Sequence, residues 1–113
     1  MSRPAELTPV ARHEAAKAVR RLVKQNPAAA RNLRLAIVEA ARLLGGRPLA
    51  GRRHSDLVGT SYRIWSLTRF SYVLVYDPNT TPPQILRIAH TSRDLGPLLK
   101  DLVETPKDDP PPT

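Results

Sequence analysis

The chain contains no cysteine, which excludes a disulfide framework and any thiolate metal site. Its three histidines, His13, His54 and His90, are scattered without tight ligand spacing, so neither a metal nor any other cofactor is expected. No apolar run approaches the roughly 18 residues needed to cross a bilayer. The opening stretch, "MSRPAELTP", also lacks the apolar centre of a secretion signal. The expectation is a soluble, cytoplasmic protein that stays out of membranes. Loops of the Walker type, paired-carboxylate motifs and nucleophile elbows are missing as well.

Acidic residues are the other shortage: 10 against 18 Lys and Arg, giving a formal charge of +8 and a pI near 10.8. Fourteen of the basic residues are arginine, whose planar fork suits bidentate contact with phosphate or carboxylate. The imbalance is uneven along the chain. Residues 1–93 hold 16 basic and 5 acidic side chains, whereas residues 94–113 hold 2 and 5. A polyanion such as nucleic acid, or an acidic protein covering the basic surface, would answer this charge. A merely solvated arginine-rich surface would give the same composition.

At 113 residues, with 41% hydrophobic side chains, the chain is sized for one core, burying about two-thirds of its unfolded surface. Ala5 to Thr8 reads as a short edge strand. In "TPVARHEAAKAVRRLV", Thr8 caps, Pro9 suits the first helical position, and Ala15, Val19, Leu22 and Val23 follow at helical spacing. Asn26-Pro27 repeats that signal before a stripe of Leu33, Ile37, Ala40, Ala41 and Leu44, which ends at Gly45-Gly46. Two helices so joined form an antiparallel hairpin. Three strand candidates come next, "YRIWSL", "FSYVLVY" and "QILRIAH", separated by turn residues. Ser92 or Asp94 can then cap a short helix, "LGPLLKDLVE". The predicted fold is α+β: a two-helix hairpin on a small antiparallel sheet of three to four strands, with a short C-terminal helix. It forms one domain over residues 1–104, and residues 105–113 are expected to be a disordered, proline-rich tail.

Period-two alternation puts Arg63, Trp65 and Leu67 on one strand face, and Phe70, Tyr72, Leu74 and Tyr76 on one face of the next. Helices covering only one side would leave the opposite face partly open to a partner or a stacked base. His90 ends the last strand beside Arg93 and Asp94. It could act as acid or base, with Arg63, Arg87 or Arg93 as charge stabilisers. A histidine satisfied by local hydrogen bonds would explain the same residues. Arg47, Arg52, Arg53 and His54 form a further basic loop able to bind phosphate or simply to be solvated.

The order of elements, together with "GRPL" at 46–49, Tyr62-Arg63, the strand ending in Tyr76, and His90-x-x-Arg93-Asp94-Leu95, resembles the ParE/RelE toxin superfamily of bacterial toxin–antitoxin modules. The resemblance spans roughly residues 5–102. It implies a toxin held inactive in a hetero-oligomer with an antitoxin. RelE-like members are ribosome-dependent messenger-RNA endonucleases. On that reading Arg63, Arg87 and His90 would be the catalytic set of a metal-independent ribonuclease, with ribosome and mRNA as partners. ParE-like members poison DNA gyrase without catalysis. Here Thr91 follows His90, no tyrosine follows Tyr76, and the lysine-rich loop of RelE is absent. The ParE-like reading is therefore preferred: a gyrase inhibitor that is not an enzyme, neutralised by a ParD-like antitoxin. Its target and antitoxin contacts would be Arg63, Trp65, His90 and Arg93, with Leu95, Leu98, Leu99 and Leu102 in the C-terminal segment.

Overall fold

The computed structural model of the chain describes residues 3–57, 59–91 and 93–104. The expected tail at 105–113 and the Ser92 cap lie outside the described residues. A short strand β1 (Glu6–Leu7) leads into helices α1 (Pro9–Val23) and α2 (Pro27–Gly46). Strands β2 (Arg63–Leu67), β3 (Tyr72–Asp77) and β4 (Gln84–His90) follow, and helix α3 (Leu95–Glu104) comes last. The architecture is α+β, as the sequence predicts.

Both N-terminal helices start where the cap signals put them. The Thr8 side chain accepts the Ala11 N–H at 3.2 Å and the Asn26 side chain accepts the Ala29 N–H at 3.1 Å. The proline after each cap has no N–H to leave unsatisfied. Small residues on the facing stripes, among them Ala11, Ala18, Ala40 and Ala41, are buried and let the two helices approach closely. The N-terminal segment crosses the end of α2, where the Ala5 N–H donates to the Ala41 carbonyl at 2.8 Å. A Cβ on Gly45 would collide with the Arg3 carbonyl there. Gly45 is thus needed for close approach, beyond its place near the helix end.

The strand order is β1-β4-β3-β2. The three later strands form the antiparallel meander, while β1 pairs parallel with β4, Glu6 opposite Gln84 and Leu7 opposite Ile85. Parallel pairing follows from connectivity, since a helical hairpin separates β1 from the sheet and returns it along the far edge. Asp77 anchors the turn after β3, accepting from the Asn79 N–H at 2.9 Å and the Ser61 hydroxyl at 3.2 Å.

Between β3 and β4 the register slips: Val75 faces Arg87 but Tyr76 faces Ile85, leaving Leu86 as an extra, bulged residue. Ile85 and Ile88, three apart, would point to opposite faces of a regular strand. The bulge brings both into the same core cluster beneath the helical hairpin.

Nor is the sheet open on its second face, contrary to the expectation from a one-sided helical cover. Ile64, Val73, Val75 and Ala89 form a separate buried cluster with Leu98 and Leu99 of α3 and with Leu57 of the 3-10 turn Ser55–Leu57. The amphipathic C-terminal helix therefore serves as a back cover. Leu98 is 5% and Leu99 2% exposed.

The two covers are joined across the β4 edge. Beyond Leu7 that edge has no strand partner among the described residues, and α1 and its cap supply substitutes: the Thr8 hydroxyl donates to the Leu86 carbonyl at 3.0 Å, and a Glu14 carboxylate oxygen accepts the Ile88 N–H at 2.9 Å. Glu14 also receives a bidentate contact from Arg87, with Nη2 to Oε2 at 2.8 Å, while Arg87 Nη1 reaches Asp101 of α3 at 3.4 Å. The Glu14 hydrogen bonds hold the guanidinium above the ordinary arginine value. Replacing Arg87 with Ala leaves a half-buried carboxylate without its cation. Chemical denaturation should show a loss of about 2 kcal/mol, whereas truncating an exposed arginine such as Arg31 should change little.

Candidate functional site

The residues proposed from sequence fall into three places. Arg63 opens β2 opposite Tyr76, and His90 closes β4 opposite Tyr72. Tyr72 and Tyr76 are about 13 Å apart along β3 at roughly 3.3 Å per residue. Arg63 and His90 therefore stand toward opposite ends of the sheet. Arg87 lies between, with its guanidinium engaged by Glu14 and Asp101. The three residues of the ribonuclease reading do not converge on one reacting centre.

Arg63 has a local task that the sequence does not reveal. Tyr76 is fully buried, its hydroxyl accepting from the Gly51 N–H at 2.8 Å and donating to the Pro48 carbonyl at 2.7 Å. Arg63 Nη1 donates to the Gly51 carbonyl at 2.9 Å. Together they clasp the 48–51 loop onto the sheet. A Cβ on Gly51 would stand 2.5 Å from the Tyr76 hydroxyl, so the clasp requires glycine there. The adjacent Arg52 extends it, exchanging backbone hydrogen bonds with Ile64 at 2.9 Å in each direction. The basic loop is thus an edge extension rather than a phosphate cradle: Arg52 also reaches Ser66 at 3.3 Å, and His54 Nδ1 accepts the Asp56 N–H at 3.0 Å. Trp65, half-buried, packs against the hairpin-side core and borders hollows on either side of α2's end.

His90 and Arg93 do share a place. They border a hollow of about 640 Å³ at the turn end of the helical hairpin, together with Arg21, Arg69, Tyr72 and Asn32. The His90 and Tyr72 rings meet edge to face, centroids 5.3 Å apart at 84°. Of the C-terminal residues, Leu98 and Leu99 belong to the buried back core and Leu95 and Leu102 are packed against it. While α3 is seated, its outward side chains are others, Val103 among them.

A different surface has the form of a docking groove. Between α1 and α2, Leu7, Ala15, Val19, Ile37, Val38 and Ala41 floor a groove of about 560 Å³ bordered by Arg20, Arg34 and Arg42. Val38 is 42% exposed. Sequence reading takes Ala15, Val19, Ile37 and Ala41 only as members of core stripes. The signal available was that Val38 and the three arginines sit just off those stripes. Among the described residues no group of three or more metal-type ligands occurs, and no helix is long and apolar enough to cross a membrane.

A helical hairpin on a mixed four-stranded sheet, with an arginine-rimmed apolar groove and a basic hollow, defines a small basic α+β domain. The family model described as the ParE toxin of the type II toxin-antitoxin system, parDE, matches residues 5–95. The chain belongs to that family: it is a type II toxin whose counterpart is an antitoxin. No curated protein is similar enough to count as a match.

The Tyr76 clasp makes a measurable prediction. Burial pushes the phenol above its ordinary value of 10.0, with the Gly51 hydrogen bond and Arg63 opposing the shift. A raised folded-state value means that this stabilisation is complete below about pH 10 and is lost as pH rises through the folded value. Tyr76→Phe should cost about 2 kcal/mol at neutral pH, since Gly51 and Pro48 lose their partner. The same variant should flatten the alkaline fall in a stability–pH series measured by denaturation.

Proposed function

We propose that the chain acts in the cytoplasm as a ParE-like inhibitor of DNA gyrase, working by contact rather than catalysis, and that a ParD-like antitoxin neutralises it. The observation that carries this reading is the separation of Arg63, Arg87 and His90. Each is engaged locally, as loop clasp, edge closure and ring partner, and Arg87 and His90 border different hollows. A metal-independent ribonuclease needs its acid, base and charge stabilisers around one phosphorus.

The α1–α2 groove supports the antitoxin part. An amphipathic helix with apolar residues toward Ile37 and Val38 and acidic flanks toward Arg20, Arg34 and Arg42 is its complement. Such a partner would also compensate the +8 charge of the toxin. The C-terminal segment from Leu95 to Val103 remains the proposed further gyrase contact, through its outward side. Because Leu98 and Leu99 are core residues, exposed positions such as Val103 test contact where deletion of the segment would test folding.

Purified chain should inhibit supercoiling by gyrase and accumulate cleaved DNA. Normal supercoiling at excess toxin, with messenger RNA cut in a translating extract and the cutting lost on His90→Ala, would instead establish the ribonuclease. For the antitoxin, Val38→Glu introduces a like charge for the acidic helix at an exposed site. Capture of the co-expressed antitoxin should weaken at least about tenfold, with the thermal midpoint of the toxin unchanged.

A further inference from the structure

We propose that the hollow at the turn end of the hairpin binds the backbone of a single-stranded nucleic acid, with arginine forks on the phosphates and aromatic rings under the bases. The inference stands apart from the gyrase reading, since it concerns a contact made by this chain alone.

Three guanidinium groups reach the hollow from three separate segments: Arg21 from α1, Arg69 from the turn before β3, and Arg93 from the turn after β4. His90, Asn32 and Gln25 add polar groups, and no carboxylate is among the lining residues. The contrast with the adjoining hollow is informative. That space also touches Arg21 and Tyr72, but it contains Glu14, Asp94 and Asp101, and its own Arg87 is paired. Among the described residues, Arg21, Arg69 and Arg93 make no ion pair. Arg87 next door is answered by two carboxylates, whereas this hollow lines its three guanidinium groups with none.

One wall is shaped by the fold itself. Ser71 takes a left-handed conformation (φ 58°), its carbonyl accepts the Thr91 N–H at 2.8 Å, and the β3 and β4 ends are thereby tied together. The Arg69 guanidinium lies over the Phe70 ring, 5.8 Å from its centroid, which orients the group while leaving its N–H edges for a ligand. Preorganised donors lose less entropy on binding than free side chains do.

Guanidinium alone does not distinguish a phosphate from the carboxylates of an acidic peptide. The rings do. Phe70 and Tyr72 are half-buried within the cationic lining, and a base gains by stacking on such rings and on arginine planes. An acidic side chain gains nothing from them. Concavity favours an unpaired strand, whose bases are free to enter, over a rigid duplex.

The test is fluorescence anisotropy with the full chain and labelled oligomers of roughly 10 nucleotides, as deoxy strand, ribo strand and DNA duplex. Single strands should bind more tightly than the duplex, with a log–log salt slope of about −2 for the phosphates engaged. Binding of either single strand supports the proposal, and the tighter one names the source. The triple variant R21A/R69A/R93A should weaken binding by at least about tenfold and nearly abolish the slope, while R12A/R31A/R53A, at exposed arginines elsewhere, should change it by less than about threefold. Phe70→Leu should weaken binding about fivefold with the slope retained, separating stacking from charge. Circular dichroism of each variant confirms folding. The proposal is overturned if the two triple variants lose equally, if polyglutamate competes as well as a single strand of equal charge, if duplex binds as tightly, or if neither strand binds at low salt.

Discussion

The contact between Glu14 and Arg87 is the constraint on which the remainder of this structure depends. Its carboxylate closes the free edge of β4 by taking the Ile88 N–H, and its guanidinium partner bridges onward to Asp101. One half-buried pair thus links the front cover of the sheet to the back cover. Each cover seals a separate apolar cluster, one beneath the hairpin and one beneath α3. Exposed ion pairs contribute little to stability, but this one is largely shielded and also satisfies a backbone donor at a sheet edge. Without it β4 would offer an unpaired ladder to another chain.

The same logic changes what the other charged residues mean. Arg63, attractive in the sequence as a catalytic or target-binding cation, spends a donor on Gly51 and works with Tyr76 to hold the 48–51 loop. Separation of Arg63 from His90 follows directly from the antiparallel register: one pairs with Tyr76, the other with Tyr72. Proximity in a motif list becomes distance once strands run side by side. A functional surface must therefore be sought where charges are left over from structural work.

How much of this was legible in the sequence depends on whether the determinant was local. The caps at Thr8-Pro9 and Asn26-Pro27 act within one turn of helix, and their signals read directly as helix starts. Strand segments and the Asp77 turn were legible for the same reason. The bulge at Leu86 was not, because a register slip is set by which side chains fit two cores at once and leaves no mark in alternation. The parallel placement of β1, the back cover by α3 and the Tyr76 clasp are likewise contacts between segments far apart in the chain. Of the candidate site, the residue types were legible and their grouping was not: His90 and Arg93 share a hollow, but Arg21 and Arg69 join them only through the fold.

Charge, finally, is sorted rather than simply excessive. The structure uses its few carboxylates at home: Glu14 and Asp101 on Arg87, Asp77 in a turn, Glu6 beside Arg3, Asp56 beside His54. Six arginines outside those ion pairs border two surfaces of different character: Arg20, Arg34 and Arg42 on one, Arg21, Arg69 and Arg93 on the other. One is an apolar groove with an arginine rim, where burial of hydrocarbon supplies affinity and charge supplies selectivity. The other is a polar hollow with rings set among arginines, where little hydrocarbon is available and an anionic, planar ligand gains most. A single basic partner-binding surface would have sufficed for one acidic protein. Two surfaces of unlike chemistry, with different linings, allow a neutralising partner and an anionic ligand to be recognised by different means.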